Sequence, residues 1–204
     1  VEVAEWGLTR VASCVSAARA EASASILLDN GDILQGTPLA ELYSDPSRGD
    51  DQQVLRAIEV MSYGAIGLGN HEFDYGLERM QQVLGGTRIP VICANLLTQK
   101  GPDVQEDVPL LPPSVMIRRV LADPQTAEMA EISIGVLSVL PVQVMNWDGA
   151  TLQGRAETRN MEEAARSHAD HLRRAGADIV ILLAQSGIDA AAADMDAENA
   201  AVSL

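Results

Sequence analysis

The stretch from Gly69 to Asp74 concentrates side chains that can bind cations or move protons. Asn70 offers an amide oxygen, His71 an imidazole, and Glu72 and Asp74 one carboxylate each. Amide and carboxylate oxygens suit hard or borderline cations, and imidazole suits borderline ones. An aspartate three residues after a histidine can also fix the tautomer and the orientation of the ring, as an acid–base dyad requires. The segment therefore predicts a cation-binding or acid–base site rather than a simple turn.

Two further polar clusters follow predicted strands elsewhere in the chain. Residues 29–32 (Asp-Asn-Gly-Asp) come directly after the apolar run 26–28, and residues 185–186 (Gln-Ser) end the apolar run 178–184. The carboxyl ends of strands in an open α/β sheet line the ligand crevice, so both clusters are expected to converge on the 69–74 segment. Asp, Asn and Gly are also common in ordinary turns, and that alternative stays open for the first cluster taken alone.

The elements that must position these clusters alternate between strands and helices. The predicted strands are short apolar runs, at residues 26–28, 65–68, 91–94, 115–121, 132–140 and 178–184. The predicted helices have apolar residues at helical spacing, over residues 9–22, 51–61, 77–84 and 159–175. This alternation predicts an α/β fold with largely parallel inner strands, and the two consecutive strands in the middle predict an antiparallel pair in a mixed sheet.

Composition and charge exclude several classes of function. The 204 residues include 29 acidic and 14 basic side chains, a formal net charge of −15. Such a field repels phosphate backbones and anionic lipid, so the chain is expected to bind neither a nucleic-acid polymer nor a membrane. No apolar run approaches the roughly 18–20 residues that a membrane-spanning helix needs. Cys14 and Cys93 form no CxxC pair, and both are expected to be buried free thiols.

Motifs at two of the polar clusters resemble those of a known family. Residues 69–72 (Gly-Asn-His-Glu) resemble the GNHE motif of the calcineurin-like metallophosphatases, and residues 30–32 (Asn-Gly-Asp) resemble their upstream GD motif. The segment from Pro141 to Asp148 is similar to the 5′-nucleotidase branch, and most closely to its bifunctional 2′,3′-cyclic-nucleotide 2′-phosphodiesterases/3′-nucleotidases. Within that segment, Trp147 is expected to pack beneath the sheet, and stacking on a ligand is the alternative.

The resemblance implies a metal-dependent phosphoester hydrolase, a layered α/β/β/α sandwich with mixed sheets, a periplasmic location and a small nucleotide substrate. Two divalent cations of the Mn, Zn, Co or Mg class are implied, with Asp32 as the bridging carboxylate and Asn70 as an amide ligand. His71 is implied to lie beside the scissile phosphate, with Asp74 orienting its ring. Gln185 stands where the family has a metal-ligating histidine, and its neutral oxygen is expected to hold zinc-like metals less well.

Two other ligand motifs of the family are not found in this sequence. No Asp-x-His occurs within residues 1–8, and no Gly-His-x-His follows residues 198–199. Residues 1–204 are therefore expected to form a partial metallophosphatase domain, incomplete at both ends, with the C-terminal nucleotide-binding domain absent. Weak or absent metal binding, little hydrolysis and self-association through an exposed sheet edge are expected in consequence. A degenerate, non-catalytic binding or interaction module is the alternative.

Overall fold

Three three-stranded sheets and seven α-helices make up the parts of the chain that the computed structural model describes, which are residues 7–44, 53–123, 125–188, 198–201 and 204. The strands are β1 Leu28–Asp29, β2 Ala65–Gly67, β3 Val91–Ile92, β4 Leu96–Gln99, β5 Val108–Pro109, β6 Ser114–Ala122, β7 Met129–Val139, β8 Glu157–Thr158 and β9 Ile179–Ala184. The α-helices are α1 Leu8–Glu21, α2 Pro38–Ser44, α3 Gln53–Val60, α4 Leu77–Gly85, α5 Val144–Trp147, α6 Gly149–Leu152 and α7 Met161–Arg174. Short 3-10 helices lie at His71–Phe73 and Val104–Glu106.

The topology of the sheets confirms the predicted mixture of parallel and antiparallel strands. The first sheet has the order β1-β2-β3, and all of its strands are parallel. In the second, β7 pairs antiparallel with β6 and parallel with β9. A third, antiparallel sheet joins β4 to β5 and β8. Among the described strands, β1 and β9 each lie at the edge of their sheet, while self-association through such an edge stays a prediction.

The first and second sheets pack face to face through small and β-branched side chains. Ala65 and Ile92 of the first sheet share a buried cluster with Ile117 and Val136 of the second. At Gly67 a Cβ atom would come within 2.6 Å of the Ser138 hydroxyl and 3.2 Å of the Ser138 Cβ. A side chain at Gly67 would therefore force Ser138 to shift.

Helices cover the outer faces of both sheets. Because successive side chains of a strand point to opposite faces, Ile66 turns away from the second sheet and packs with Ile58 of α3 and Met80 of α4. In the same way, Leu137 packs with Leu172 and the other buried residues of α7. The order helix, sheet, sheet, helix is the layered α/β/β/α sandwich that the sequence resemblance implied.

Helix α1 corrects one expectation about the cysteines. None of its side chains is buried, and Cys14 is exposed. Cys93 is fully buried at the end of β3, and burial raises its pKa to about 12. The predicted burial is therefore right for Cys93 and wrong for Cys14. Across the described ranges, every helix is too short or too polar to cross a bilayer.

Candidate functional site

The loops that follow β1, β2 and β9 meet at the carboxylate of Asp32. The His71 backbone N–H donates a hydrogen bond to Asp32 Oδ1 at 3.1 Å, and Gln185 Nε2 donates to Asp32 Oδ2 at 2.7 Å. Asn30 extends the same junction, because its side-chain Nδ2 donates to the carbonyl oxygen of Ala184 at 2.9 Å. The structure thus brings together residues that lie up to 154 positions apart in the chain. One of the three loops comes from the second sheet, so the site spans both inner layers.

Glu72 joins the first two of these loops from beneath. Its side chain is fully buried, and its carboxylate accepts hydrogen bonds from four backbone N–H groups. The donors are Asp32 at 2.8 Å, Ile33 at 2.7 Å, Leu34 at 3.3 Å and Gly69 at 2.7 Å. Burial raises the pKa of Glu72, while these backbone hydrogen bonds act in the opposite direction. Sequence reasoning counted Glu72 among possible cation ligands, whereas in the structure its oxygens are committed to the backbone.

Contact between the two loops is so close that only glycine fits at two positions. A Cβ atom at Gly31, whose φ is +93°, would overlap the backbone of Gly69, and a Cβ atom at Gly69 would overlap the Asp32 carboxylate. Asp32 itself has a φ of 62°, a left-handed conformation that a non-glycine residue adopts only when its surroundings impose it. Here the hydrogen bonds to Glu72 and the close contact at the two glycines hold Asp32 in that conformation.

His71 and Asp74 form the dyad that their spacing predicted. His71 Nδ1 lies 2.9 Å from Asp74 Oδ2, and the hydrogen bond to Asp74 is the main reason that the pKa of His71 is raised. The His71 side chain is 46% exposed, so its second ring nitrogen is available to a ligand. Asp148 lies close enough for the Asp74 charge to add to the effect of burial and raise the pKa of Asp148. Sequence reasoning did not place Asp148 at the site.

A cavity of about 270 Å³ opens beside these residues. Asn30, Asn70 and Gln185 contribute polar lining, and Pro141 and Trp147 contribute apolar lining. Trp147 is 48% exposed, so the expectation that it packs beneath the sheet is wrong. Trp147 lies beside the site because its helix, α5, follows β7 at the end of the second sheet. The sequence pattern alone does not reveal this placement.

The donors around Asp32 fit one hard cation better than a pair of cations. Asp32 supplies a carboxylate, and the amides of Asn70 and Gln185 line the neighbouring cavity. Rotation of the Gln185 amide by half a turn would exchange its donor nitrogen for an oxygen ligand. No group of three or more His, Cys, Asp or Glu side chains that could hold a metal occurs in the described ranges. These residues therefore do not make up a two-cation centre by themselves.

Comparison with known proteins shows that the chain is similar to phosphoesterases. It is 36% identical over 201 residues to a 2′,3′-cyclic-nucleotide 2′-phosphodiesterase/3′-nucleotidase of Salmonella typhimurium, covering 96% of this chain and 30% of that protein. The protein of the same name from Haemophilus influenzae is 33% identical over 202 residues, with 98% and 30% covered. The chain thus spans about 30% of the length of these relatives. No protein-family model matches it.

Solved structures of phosphoesterases have the same fold as this chain. The calcineurin-like phosphoesterase YfkN of Bacillus subtilis superimposes with a TM-score of 0.90 at 29% identity, covering 100% of this chain and 61% of that one. A 5′-nucleotidase precursor from Thermus thermophilus superimposes with a TM-score of 0.63 at 24% identity, covering 87% and 31%. Neither these structures nor the relatives favour the alternative of a non-catalytic module.

Proposed function

This chain belongs to the calcineurin-like phosphoesterases, and from that membership we propose that it is part of a metal-dependent hydrolase of small phosphoesters. The observation that supports the proposal is the convergence of three loops on the Asp32 carboxylate. The partly exposed imidazole of His71 follows in one of these loops, and its Nδ1 contacts Asp74. An isolated turn needs no such mixture of groups. A phosphoester hydrolase needs both an anchor for cations and a proton donor.

We assign the cation to Asp32, Asn70 and Gln185. A divalent cation held there would withdraw charge from the oxygens of a phosphoester. It would also allow a chain with a net charge of −15 to accept an anionic substrate, because the ion dominates the local charge. Glu198 lines the same cavity and offers a further carboxylate. Because the described residues still do not make up a two-cation centre, the chain alone is expected to bind the cation weakly.

His71 is the proposed proton donor. Since Asp74 holds the ring through Nδ1, Nε2 is the atom that can face a phosphoester oxygen. The raised pKa of His71 increases the fraction of imidazolium near neutral pH, which suits a group that stabilises negative charge or protonates a leaving oxygen. Asp74 acts through His71, by fixing the tautomer and the orientation of its ring.

The substrate class is a further part of the proposal. We propose 2′,3′-cyclic nucleotides and nucleoside 3′-phosphates, because two relatives that match nearly the whole chain carry those activities in their names. Because this chain spans about 30% of their length, we also propose that residues 1–204 are part of a metallophosphatase domain and that a nucleotide-binding domain lies outside them. A periplasmic location is proposed on the family resemblance alone.

Metal analysis and turnover test the proposal together. After dialysis against Mn²⁺, the chain is expected to retain less than one equivalent of metal and to hydrolyse bis-p-nitrophenyl phosphate and 2′,3′-cyclic AMP slowly. Asp32→Asn should abolish both properties. Asp170→Asn is the matched control, because it removes the same charge from an exposed position on α7.

Two results would contradict the proposal in different ways. Hydrolysis that is unchanged in Asp32→Asn would show that the chemistry does not occur at this site. Two tightly retained equivalents with fast turnover would leave the site in place but disprove the expected weakness of the chain alone.

A further inference from the structure

The peptide group between Ala184 and Gln185, at the end of β9, is hydrogen-bonded on both of its sides. The Gln185 N–H donates to the carbonyl oxygen of Val139 at 3.0 Å, which continues the pairing of β9 with β7. Because this peptide bond is trans, the Ala184 carbonyl points the opposite way, to the open side of a strand that lies at the edge of its sheet among the described strands. A carbonyl on that side needs a donor from elsewhere in the molecule. The Asn30 side chain supplies this donor, with Nδ2 at 2.9 Å from the carbonyl oxygen.

This hydrogen bond is one half of a reciprocal contact between the two sheets. A carbonyl oxygen only accepts hydrogen bonds, so it is the nitrogen of the Asn30 amide that faces Ala184. Asn30 belongs to the loop after β1 in the first sheet, whereas β9 belongs to the second sheet. In the reverse direction, Gln185 Nε2 donates to Asp32 Oδ2 of the first loop at 2.7 Å. We call the pair of side chains, Asn30 and Gln185, the amide clasp.

The amide clasp connects a part of the site that Glu72 does not reach. Glu72 fastens the loop after β1 to the loop after β2, and both loops follow strands of the first sheet. Gln185 comes from the second sheet, so its side chain stays at Asp32 only while the end of β9 keeps a fixed distance from the loop after β1. Asn30 maintains that distance, because it binds the peptide group directly before the Gln185 side chain.

We propose that Asn30 is a positioning residue of the cation site, which holds the Gln185 amide at the Asp32 carboxylate. The proposal rests on the proposed function and adds a residue that acts through Gln185 rather than as a cation ligand. A single hydrogen bond contributes little free energy, so Asn30→Ala is expected to weaken Mn²⁺ binding by about two- to tenfold. Asn30 is exposed, and the variant should therefore fold, which circular dichroism checks.

A double-mutant cycle tests whether Asn30 acts through Gln185. The probe is Mn²⁺ alone, and electron paramagnetic resonance of the free ion measures its affinity. Asn30→Ala and Gln185→Ala should each weaken binding, and the double variant should bind no more weakly than Gln185→Ala. Thr98→Val is the control, because it removes an exposed side-chain hydrogen bond to the backbone in the third sheet and should leave the Mn²⁺ affinity unchanged. Losses that multiply in the double variant, or an Asn30→Ala variant that binds Mn²⁺ normally, would overturn the proposal.

NMR of the metal-free chain gives a readout that does not need the cation. The side-chain NH2 signal of Gln185, identified by its loss in Gln185→Ala, should exchange slowly with solvent because Asp32 accepts a hydrogen bond from it. Asn30→Ala should accelerate this exchange, and Thr98→Val should not. An unchanged Gln185 signal in Asn30→Ala would overturn the positioning role and leave the proposed function intact. If the unaltered chain bound no Mn²⁺, the assigned cation site would be wrong, and the NMR comparison would still decide whether Asn30 positions Gln185.

Discussion

The Glu72 carboxylate accepts a hydrogen bond from the backbone N–H of Asp32 at 2.8 Å, across 40 positions of sequence. This contact fastens the loop after β1 to the loop after β2. It also holds the backbone of Asp32, which is in a left-handed conformation. The geometry of the candidate cation site therefore depends on a buried residue that is not itself available as a ligand.

Glu72→Gln is expected to weaken cation binding more than another variant that destabilises the fold by a similar amount. A glutamine presents an NH2 group to some of the four backbone donors, so at least one donor loses its acceptor. We expect the free energy of unfolding to fall by about 2–3 kcal/mol, the cost of unsatisfied buried groups. Urea denaturation measures this cost, and calorimetry with Mn²⁺ measures the cation affinity.

Leu172→Ala provides the comparison for Glu72→Gln. It removes a buried side chain of α7 on the far side of the second sheet and should cost about 2–5 kcal/mol. Its cation affinity should match that of the unaltered chain. If the two variants lose affinity in proportion to their loss of stability, Glu72 has no specific role in positioning Asp32.

Asp74→Asn should lower the pKa of His71. The hydrogen bond to Asp74 is the largest cause of the raised value, and an amide cannot supply the same negative charge. NMR titration of the imidazole protons in the metal-free chain measures the change directly. His168 on α7 serves as the internal reference, and its titration should not move. A His71 titration curve that is identical in the variant would contradict the dyad.

The buried ion pair between Asp107 and Arg159 predicts a loss of stability at acid pH. Arg159 Nη2 lies 2.6 Å from Asp107 Oδ1, and the two side chains are only 3% and 4% exposed. Burial is the largest single influence and raises the pKa of Asp107, but the hydrogen bonds from Arg159 and from the Gly101 N–H, together with the positive charges of Arg159 and Lys100, outweigh it and hold the pKa below its ordinary range. The contribution of the pair is therefore present above the unfolded pKa of about 3.9, and it is lost as the pH falls through the lower folded pKa.

Asp107→Asn tests this pair. At pH 7 the variant should be destabilised by about 3 kcal/mol, because the buried Arg159 loses its buried charged partner and keeps only the half-exposed Glu163. The difference from the unaltered chain should shrink as the pH falls below about 4, as measured by urea denaturation at several pH values. Asp170→Asn removes an exposed ion pair on α7 and should change stability by less than about 1 kcal/mol. A difference for Asp107→Asn that does not vary with pH would contradict the expected pKa.

Gln185→His should change which metal the site prefers. Gln185 contacts Asp32 directly, so an imidazole at this position would offer a borderline nitrogen donor beside the carboxylate. Affinity for Zn²⁺ and Co²⁺ should rise relative to Mg²⁺, because imidazole suits the former and not the latter. Competition calorimetry measures the ratio. An unchanged order of metals would show that Gln185 does not face the cation.

Local patterns were sufficient for the strands and helices that carry the site. The apolar runs before Asp29, Gly69 and Gln185 overlap β1, β2 and β9, because short apolar runs bounded by turn-forming polar clusters favour strands. Helix α1 shows where such patterns fail. Its spacing predicted a helix correctly, but spacing does not say whether a packing partner covers that helix, and Cys14 remains exposed.

By itself, the sequence determined the layered α/β fold, the family, and the residue types that can bind a cation and a phosphoester. Only the tertiary structure decided which of them face each other. The sequence suggested Glu72 as a possible cation ligand, but in the structure it is a buried acceptor of four backbone hydrogen bonds. Trp147 was expected to pack beneath the sheet, but it lines a cavity. The physical reason is that strand and helix periodicities are short-range properties of the chain. Contacts between loops up to 154 positions apart depend instead on how two sheets stack and where their strands end.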